Sequence, residues 1–286
     1  VGTDEVRQTW QQGGQGWVAN QRIFDAAFAP LTAALIERTG WAGGERVLDV
    51  GCGAGTLLEE GVRAGVEMVG VDVSTAMVEA ARERVPAARL VEADAQTTDL
   101  LAAAPGTPFD RVVSRFGVMF FSDPVAAFAN LRRASRPGAT LTFVCWRSRE
   151  ANPVFSQGSE ILAAALPEPP PSTPPGAPGP TAFADPDRLR TILDGAGWGE
   201  AEVEPFDFSC DYGVDGSDGV EERLAVILSS NGRVAWEQLQ ATVGEERQAE
   251  LLDEVRADLR SRRVDGVVRI PAATWLVAAR NPAADG

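Results

Sequence analysis

Residues 47–55 read Val47-Leu48-Asp49-Val50-Gly51-Cys52-Gly53-Ala54-Gly55. A compact apolar strand, Arg46 to Val50, runs straight into a turn with glycine at 51, 53 and 55, and a helix begins near Thr56. Such a turn lets backbone come close to a ligand, and the next helix presents free N–H groups. Dinucleotide enzymes use a glycine turn too, so the turn alone does not choose the ligand. Asp49 narrows the choice, because a carboxylate at the strand end suits a cation better than a polyphosphate.

Outward from this segment the chain repeats strand, turn and helix. Glu67 to Val71 reads as the second strand and Thr75 to Arg84 as its helix. Ala88 to Glu92 and Arg111 to Ser114 follow as strands, then a helix from Val125 to Ser135. The Pro137-Gly138 turn leads into a fifth strand, Ala139 to Cys145. Short apolar strands alternating with helices imply a parallel sheet covered on both faces. Upstream, Ile23, Phe24, Ala27, Leu31, Leu35 and Ile36 recur at helical spacing between Trp17 and Thr39, with a break expected at Pro30. Downstream, residues 167–180 hold eight prolines and predict an exposed loop. A helix over Pro186 to Gly195, a strand from Ala201 to Phe208, a helical stretch over 217–263 and a last strand, Thr274 to Ala279, complete the pattern.

One domain is expected. It divides into a helical cap (1–43), a ligand-binding core (44–146), a proline-rich insertion (147–184), a core helix and strand (185–208), a helical insertion (209–265) and a closing strand with tail (266–286). Ligands of open parallel sheets sit beyond the carboxyl ends of the strands, which makes both insertions candidate lids.

With 286 residues the chain can bury one good-sized core. Its 41 acidic and 26 basic residues give a net charge of −15, which does not favour a nucleic-acid partner. The arginines at 256, 260, 262 and 263 read as a solvated helix end. No apolar run approaches the ~18 residues of a membrane span, and no basic-then-apolar leader opens the sequence. Cys52, Cys145 and Cys210 are scattered and odd in number, like ordinary thiols. A cytoplasmic protein is expected, monomer or homodimer, without membrane partner. There is no histidine, and every basic side chain is arginine. A Ser-His-Asp triad, a Cys-His pair, a histidine metal site and a lysine Schiff base are therefore impossible within this chain. The carboxylate spacing argues for no metal.

Further carboxylates stand at strand ends. Asp72 closes the second strand, where a carboxylate can accept both hydroxyls of a ribose, as in nicotinamide and S-adenosylmethionine enzymes alike. After the third strand, Asp94 is placed to accept an adenine amine while Ala95 supplies a backbone N–H. Ser114-Arg115-Phe116 would line the opposite wall.

The set VLDVGCGAG, VGVDVS, EADA, FDRVVSRFGVMFFSDP and LRRASRPGATLTFVCWR resembles the class I S-adenosylmethionine-dependent methyltransferases, in the small-molecule branch grouped with ubiquinone/menaquinone-biosynthesis-type domains. The segments Gly16 to Gln21 and Pro271 to Arg280 share the likeness, which is strong over 44–146 and looser over the insertions. It implies a seven-stranded Rossmann-like α/β sheet, order 3-2-1-4-5-7-6 with the last strand antiparallel and helices on both faces. It also implies S-adenosylmethionine as cofactor and S-adenosylhomocysteine as product. Gly51 and Gly53 would lie under the methionine part, with Asp49 near its amino group and Asp72 on the ribose. Val73 and Met77 would flank the adenine, and Asp94 with Ala95 would read its edge. Arg115 would line the methionine side through its backbone, and Trp17 with Gln21 would close over the cofactor. Met77 also reads as plain core, and Arg115 as an acceptor-binding group.

Methyl transfer from a sulfonium is an in-line displacement that needs alignment and exclusion of water. A base is optional for an amine, a thiolate or an ionised phenol. Without histidine, no catalytic residue stands out. An in-chain base would be a carboxylate, Tyr212, or a water held by one of them; Tyr212, counted also with the acceptor wall, reads as a loop anchor before it reads as a base. The expected acceptor wall is Phe116, Phe120, Phe121, Trp146 and Phe155, with Arg147 and Asn152 as polar handles, and Phe120 and Phe121 also fit the core. Such a wall favours a planar or hydrophobic metabolite, of the kind made in secondary metabolism, methylated at O, N or C. Three other readings stay open: a NAD-dependent oxidoreductase, whose third turn glycine would come later, a non-catalytic binding or assembly protein, and a methylation-coupled cyclase.

Overall fold

Strand β1 (Arg46–Val50) is buried at every position because it lies in the middle of the sheet, with parallel neighbours on both sides. In the computed structural model, which describes residues 3–168 and 174–282, three helices precede it: α1 (Thr3–Ala19), α2 (Gln21–Ala27) and α3 (Ala29–Thr39). Then follow α4 (Thr56–Arg63), β2 (Glu67–Asp72), α5 (Thr75–Arg84), β3 (Arg89–Glu92), α6 (Leu100–Ala103), β4 (Phe109–Arg115), α7 (Pro124–Ala134) and β5 (Ser135–Trp146). The second half holds α8 (Ser159–Ala164), α9 (Pro186–Gly195), β6 (Gly199–Asp211), α10 (Val220–Ser229), α11 (Arg233–Thr242), α12 (Glu245–Ser261) and β7 (Arg269–Arg280).

The seven strands form one sheet in the order β3-β2-β1-β4-β5-β7-β6, as expected. Strands β1 to β5 pair in parallel, and β7 runs antiparallel between β5 and β6. The parallel strands therefore end on one edge. Pro205 interrupts no ladder bond that matters, since β6 is an edge strand. Local chemistry sets several boundaries. Ser74 caps α5 through its side chain, which accepts the Met77 N–H, and Asp185 caps α9 ahead of Pro186.

Several elements depart from the sequence reading: β6 and β7 run longer at both ends, and the short helices α6 and α8 are not among the expected ones. The first helical stretch begins upstream of Trp17 and breaks at Asn20 and Phe28. The break expected at Pro30 falls two residues ahead of it, at Phe28, which leaves Pro30 in the first turn of α3, where its missing N–H is harmless. The stretch 217–263 is three helices, with glycines at 232 and 244 capping the second and third. The Pro137-Gly138 pair lies within a longer β5 rather than ahead of it. Of the proline-rich segment, residues 169–173 lie outside the described residues. Beyond them the chain returns to the sheet edge, where the Gly179 N–H donates to the Met119 carbonyl at 3.0 Å. The arginines near the end of α12 serve surface ion pairs: Arg256 with Glu221, Arg262 with Glu160, and Arg263 with Asp218. Among the described residues, no helix is long and apolar enough to cross a membrane, and no group of histidine, cysteine and carboxylate side chains is gathered to hold a metal.

Candidate active site

The turns after β1 and β4 cross at bare backbone. A Cβ on Gly51, whose φ is +66°, would stand 2.6 Å from the Gly117 Cα, and one on Gly117 would stand 2.4 Å from the Val50 carbonyl oxygen. The Ser114 hydroxyl ties the crossing together. It donates to the Val50 carbonyl at 2.7 Å and accepts the Gly117 N–H at 3.1 Å. Beside it, Phe116 adopts a φ of +68°, a strained conformation for a bulky residue. Stacking on Trp146, with ring centroids 4.5 Å apart and planes within 5°, holds the ring in place.

A cavity of about 440 Å³ opens along this edge. Besides Asp25 of α2, its carboxylates stand at the ends of β1, β2 and β3. Asp72 accepts the Gly53 N–H on one oxygen and the Ser74 N–H on the other, both at 2.9 Å, which docks the glycine turn to the start of α5. Burial raises its carboxyl above the ordinary range, against the pull of those backbone donors. Asp49 is 1% exposed. Burial pushes its carboxyl up to about 7, the Arg115 charge opposing and the nearby Asp72 adding to the rise. Asp94 accepts the Gln96 N–H at 2.8 Å on one oxygen.

Each of three cavity residues keeps one buried oxygen without a partner: Gln21 Oε1, Asp49 Oδ1 and Asp94 Oδ2. Buried acceptors of this kind are costly unless something donates to them. They fit an adenosyl amino acid carrying an ammonium and an exocyclic amine.

Helix α1 closes the cavity from above, and its glycines permit the approach. A Cβ on Gly14 would meet the Ser74 Oγ at 2.4 Å, and one on Gly16 the Ser229 Cβ at 2.9 Å. Trp17 stacks on Phe24 at 3.8 Å, and Trp10 packs edge-on against both Trp17 and Phe120.

Every residue expected around the cofactor lines this cavity: Trp17, Gln21, Asp49, Gly51, Gly53, Asp72, Val73, Met77, Asp94, Ala95 and Arg115. For Arg115 the reading through backbone alone needs enlarging. Its guanidinium is buried and donates to Thr32 Oγ1 at 2.9 Å, Thr56 Oγ1 at 3.0 Å and Asp25 at 3.4 Å. Asp25 in turn pairs with Arg84, which also holds Glu59. Arg115 therefore fastens α2, α3 and α4 beneath the site and sets its positive charge near Asp49.

Of the acceptor wall, Phe116, Phe120, Phe121, Trp146, Phe155 and Tyr212 line the cavity, and Arg147 and Asn152 do not. Side chains alternate along a strand, so with Trp146 facing the cavity Arg147 points away, pairing with Asp207 and lying over Trp275. Asn152 is a structural clamp: its amide accepts the Ala273 N–H at 2.8 Å and donates to the Ala273 carbonyl at 2.9 Å. Tyr212 is buried, and burial drives its phenol far above the ordinary value, the Arg223 charge opposing. It is thus a hydrogen-bonding group rather than a base.

Sequence reading missed Gly117, Phe28 and Arg223, all on the cavity wall. Arg223 left a signal. It sits at helical spacing among Val220, Leu224 and Ile227, the buried face of α10.

Residues 47–138 match the family model described as a methyltransferase domain. A demethylmenaquinone methyltransferase of Corynebacterium kroppenstedtii is 36% identical over 166 residues, covering 55% of this chain and 69% of that one. The first curated relatives are matched over about half of their length, 49% to 59%. Among solved structures, a Bacillus halodurans protein provisionally assigned as a methyltransferase superposes with a TM-score of 0.53 at 18% identity, over 88% of this chain and 98% of that one. The [4+2]-cyclase SpnF superposes with a TM-score of 0.50 at 20% identity, over 89% and 82%. These two likenesses concern the fold, which hosts more than one reaction. Strand order, glycine crossing, strand-end carboxylates and the Corynebacterium relative agree: the chain belongs to the S-adenosylmethionine-dependent methyltransferases.

Proposed function

We propose that this chain transfers a methyl group from S-adenosylmethionine to an O, N or C atom of a small, planar, apolar acceptor. The observation that carries this reading is the convergence of unpartnered buried oxygens from Gln21, Asp49 and Asp94 on one cavity. In this reading Asp49 holds the cofactor's ammonium, Asp72 its ribose, and Asp94 its adenine amine, with Gly51 and Gly53 beneath and Trp17 and Gln21 above. S-adenosylmethionine supplies an electrophilic methyl on a sulfonium.

The chain's own contribution is then alignment and exclusion of water. Phe28, Phe116 and Trp146 form a packed aromatic cluster, with centroid separations of 4.5 to 5.9 Å, that orients a flat acceptor. Helix α1 shuts out solvent. The cavity presents no histidine or lysine, and its one tyrosine stays protonated, which leaves carboxylates as the in-chain bases. With Asp49, Asp72 and Asp94 assigned to the cofactor in this reading, an acceptor whose nucleophilic atom needs little help from a base fits best.

Calorimetric titration tests the cofactor assignment. Binding of S-adenosylmethionine and S-adenosylhomocysteine at micromolar concentration, with none of NAD, is expected. A folded, ligand-free protein that binds neither adenosyl compound would refute the assignment. Asp72→Ala is expected to weaken S-adenosylhomocysteine roughly 100-fold or more, since two charge-assisted bonds to the ribose are removed. Unchanged affinity in that variant would remove Asp72 from the ribose.

A further inference from the structure

The cavity is electrically polarised along the sheet edge. Asp94, Asp72 and Asp49 stand at the ends of β3, β2 and β1. Phe116 follows β4, and Trp146 ends β5. Beyond them, where β6 gives way to the helical insertion, lie Tyr212 and Arg223. A cationic ligand part is served by the acidic half, and the opposite half carries a buried positive charge.

That charge is Arg223. It is 1% exposed, yet among the described residues no carboxylate lies within ion-pairing distance of it. Its two terminal nitrogens are engaged by neutral groups: one donates to the Val154 and Gln157 carbonyls at 2.8 and 3.0 Å, the other to the Tyr212 hydroxyl at 3.3 Å. Its guanidinium also lies over the Tyr212 ring at 5.3 Å. These contacts fix the fork rigidly. They leave Nε buried, on a residue of the cavity wall, with no hydrogen-bond partner. An unneutralised guanidinium in a dry site is costly unless an anion completes it. The partly buried guanidiniums beside the acidic half have carboxylates, Arg115 with Asp25 and Arg84 with Asp25 and Glu59. The other arginine of the acceptor half, Arg149, is exposed and lies over the Phe155 ring at 5.3 Å.

Resting on the reading of this cavity as a methyl-transfer site, we infer that Arg223 is the acceptor-anchoring residue and that the acceptor is a planar aromatic carboxylate. Its carboxylate oxygen accepts from Arg223 Nε, and its ring lies against Phe155 and Trp146, which pack edge-on at 5.1 Å. Tyr212 acts through Arg223 as a positioning residue. The arrangement places the acceptor's anion at the far end from Asp49, so that like charges are kept apart and the flat body of the acceptor spans the aromatic middle.

The test compares 2-naphthoate with 2-naphthamide, which share shape and differ in charge. Both are titrated into the full chain with and without saturating S-adenosylhomocysteine. The acid is expected to bind roughly ten- to hundredfold more tightly than the amide. In Arg223→Met the preference should vanish while the affinities for the amide and for S-adenosylhomocysteine stay within about twofold. Equal affinities in the unmodified protein, or a preference that survives Arg223→Met, overturn the inference. Because Arg223 also holds two loop carbonyls, a second readout avoids the variant. In ¹⁵N-labelled protein the Arg223 Nε–H resonance should move downfield with the acid and not with the amide, and an unmoved resonance overturns the inference as well. Failure of S-adenosylhomocysteine to bind counts against the cofactor assignment alone, since the acid-to-amide comparison is also made in its absence.

Discussion

Asp49→Asn is expected to weaken S-adenosylmethionine binding about 100-fold at pH 8 while making the ligand-free protein more stable. The two effects have one cause. Asp49 is buried with an unpartnered oxygen, and its carboxyl is pushed up to about 7, first by burial and further by Asp72, with Arg115 opposing. In the free protein at pH 8 this carboxylate is ionised in a site that solvates it poorly. The amide removes that penalty, and a gain of roughly 1–2 kcal/mol is expected in a urea titration. In the complex the same carboxylate meets a desolvated ammonium, and removing one partner of such a pair costs about 3 kcal/mol.

The pH dependence follows with a definite sign. The folded-state value lies above the ordinary 3.8, so the folded protein holds a proton that the unfolded chain releases. Stability from this group is complete below the unfolded value and is lost as pH rises through about 7. Cofactor affinity runs the other way, because only the ionised form attracts the ammonium. Affinity for S-adenosylhomocysteine should fall up to about tenfold per pH unit as pH drops below the Asp49 value. In Asp49→Asn this slope should flatten. Calorimetry between pH 5 and 8 measures both, and a wild-type affinity independent of pH would remove Asp49 from the cofactor's charge.

Much of this acidic half is legible in sequence because its causes are local. A strand followed by glycines, an aspartate at a strand end and a serine cap each act within a few residues, so β1, α5 and α9 are read to their residue limits. The acceptor half is not local. Arg223 shares the spacing of the buried face of α10, but its partners Val154, Gln157 and Tyr212, up to 69 residues away in sequence, cannot be read from that spacing. Arg147 and Asn152 fail for the reverse reason. Proximity to the end of β5 suggests the cavity, but strand alternation turns Arg147 away, and Asn152 is spent on the backbone of β7. The break near Pro30 is local chemistry, but the packing of Phe28 is not, since its ring meets Phe116, Trp146 and Phe208 from three distant segments.

The glycine turn allows a sharper separation of folding from binding. Gly51→Ala is expected to destabilise the protein by roughly 3 kcal/mol and to lower cofactor affinity with it. Its methyl would meet the Gly117 Cα at 2.6 Å, backbone against backbone, at a φ of +66°. No side-chain rotation relieves such a contact, so the turns after β1 and β4 must part, and strain at a left-handed position adds to the cost. Gly53→Ala shares the positive φ, at +53°, but its methyl would find nothing nearer than the Met77 sulfur at 4.0 Å. That methyl would stand in the cavity. Only the backbone penalty of about 1 kcal/mol should reach stability, while S-adenosylhomocysteine binding should fall by tenfold or more through overlap with the ligand. Urea titration and calorimetry on the pair give the contrast directly. Equal losses of stability in the two variants would mean that the crossing of bare backbone at Gly51 and Gly117 can relax, and that the floor of the site is softer than its geometry implies.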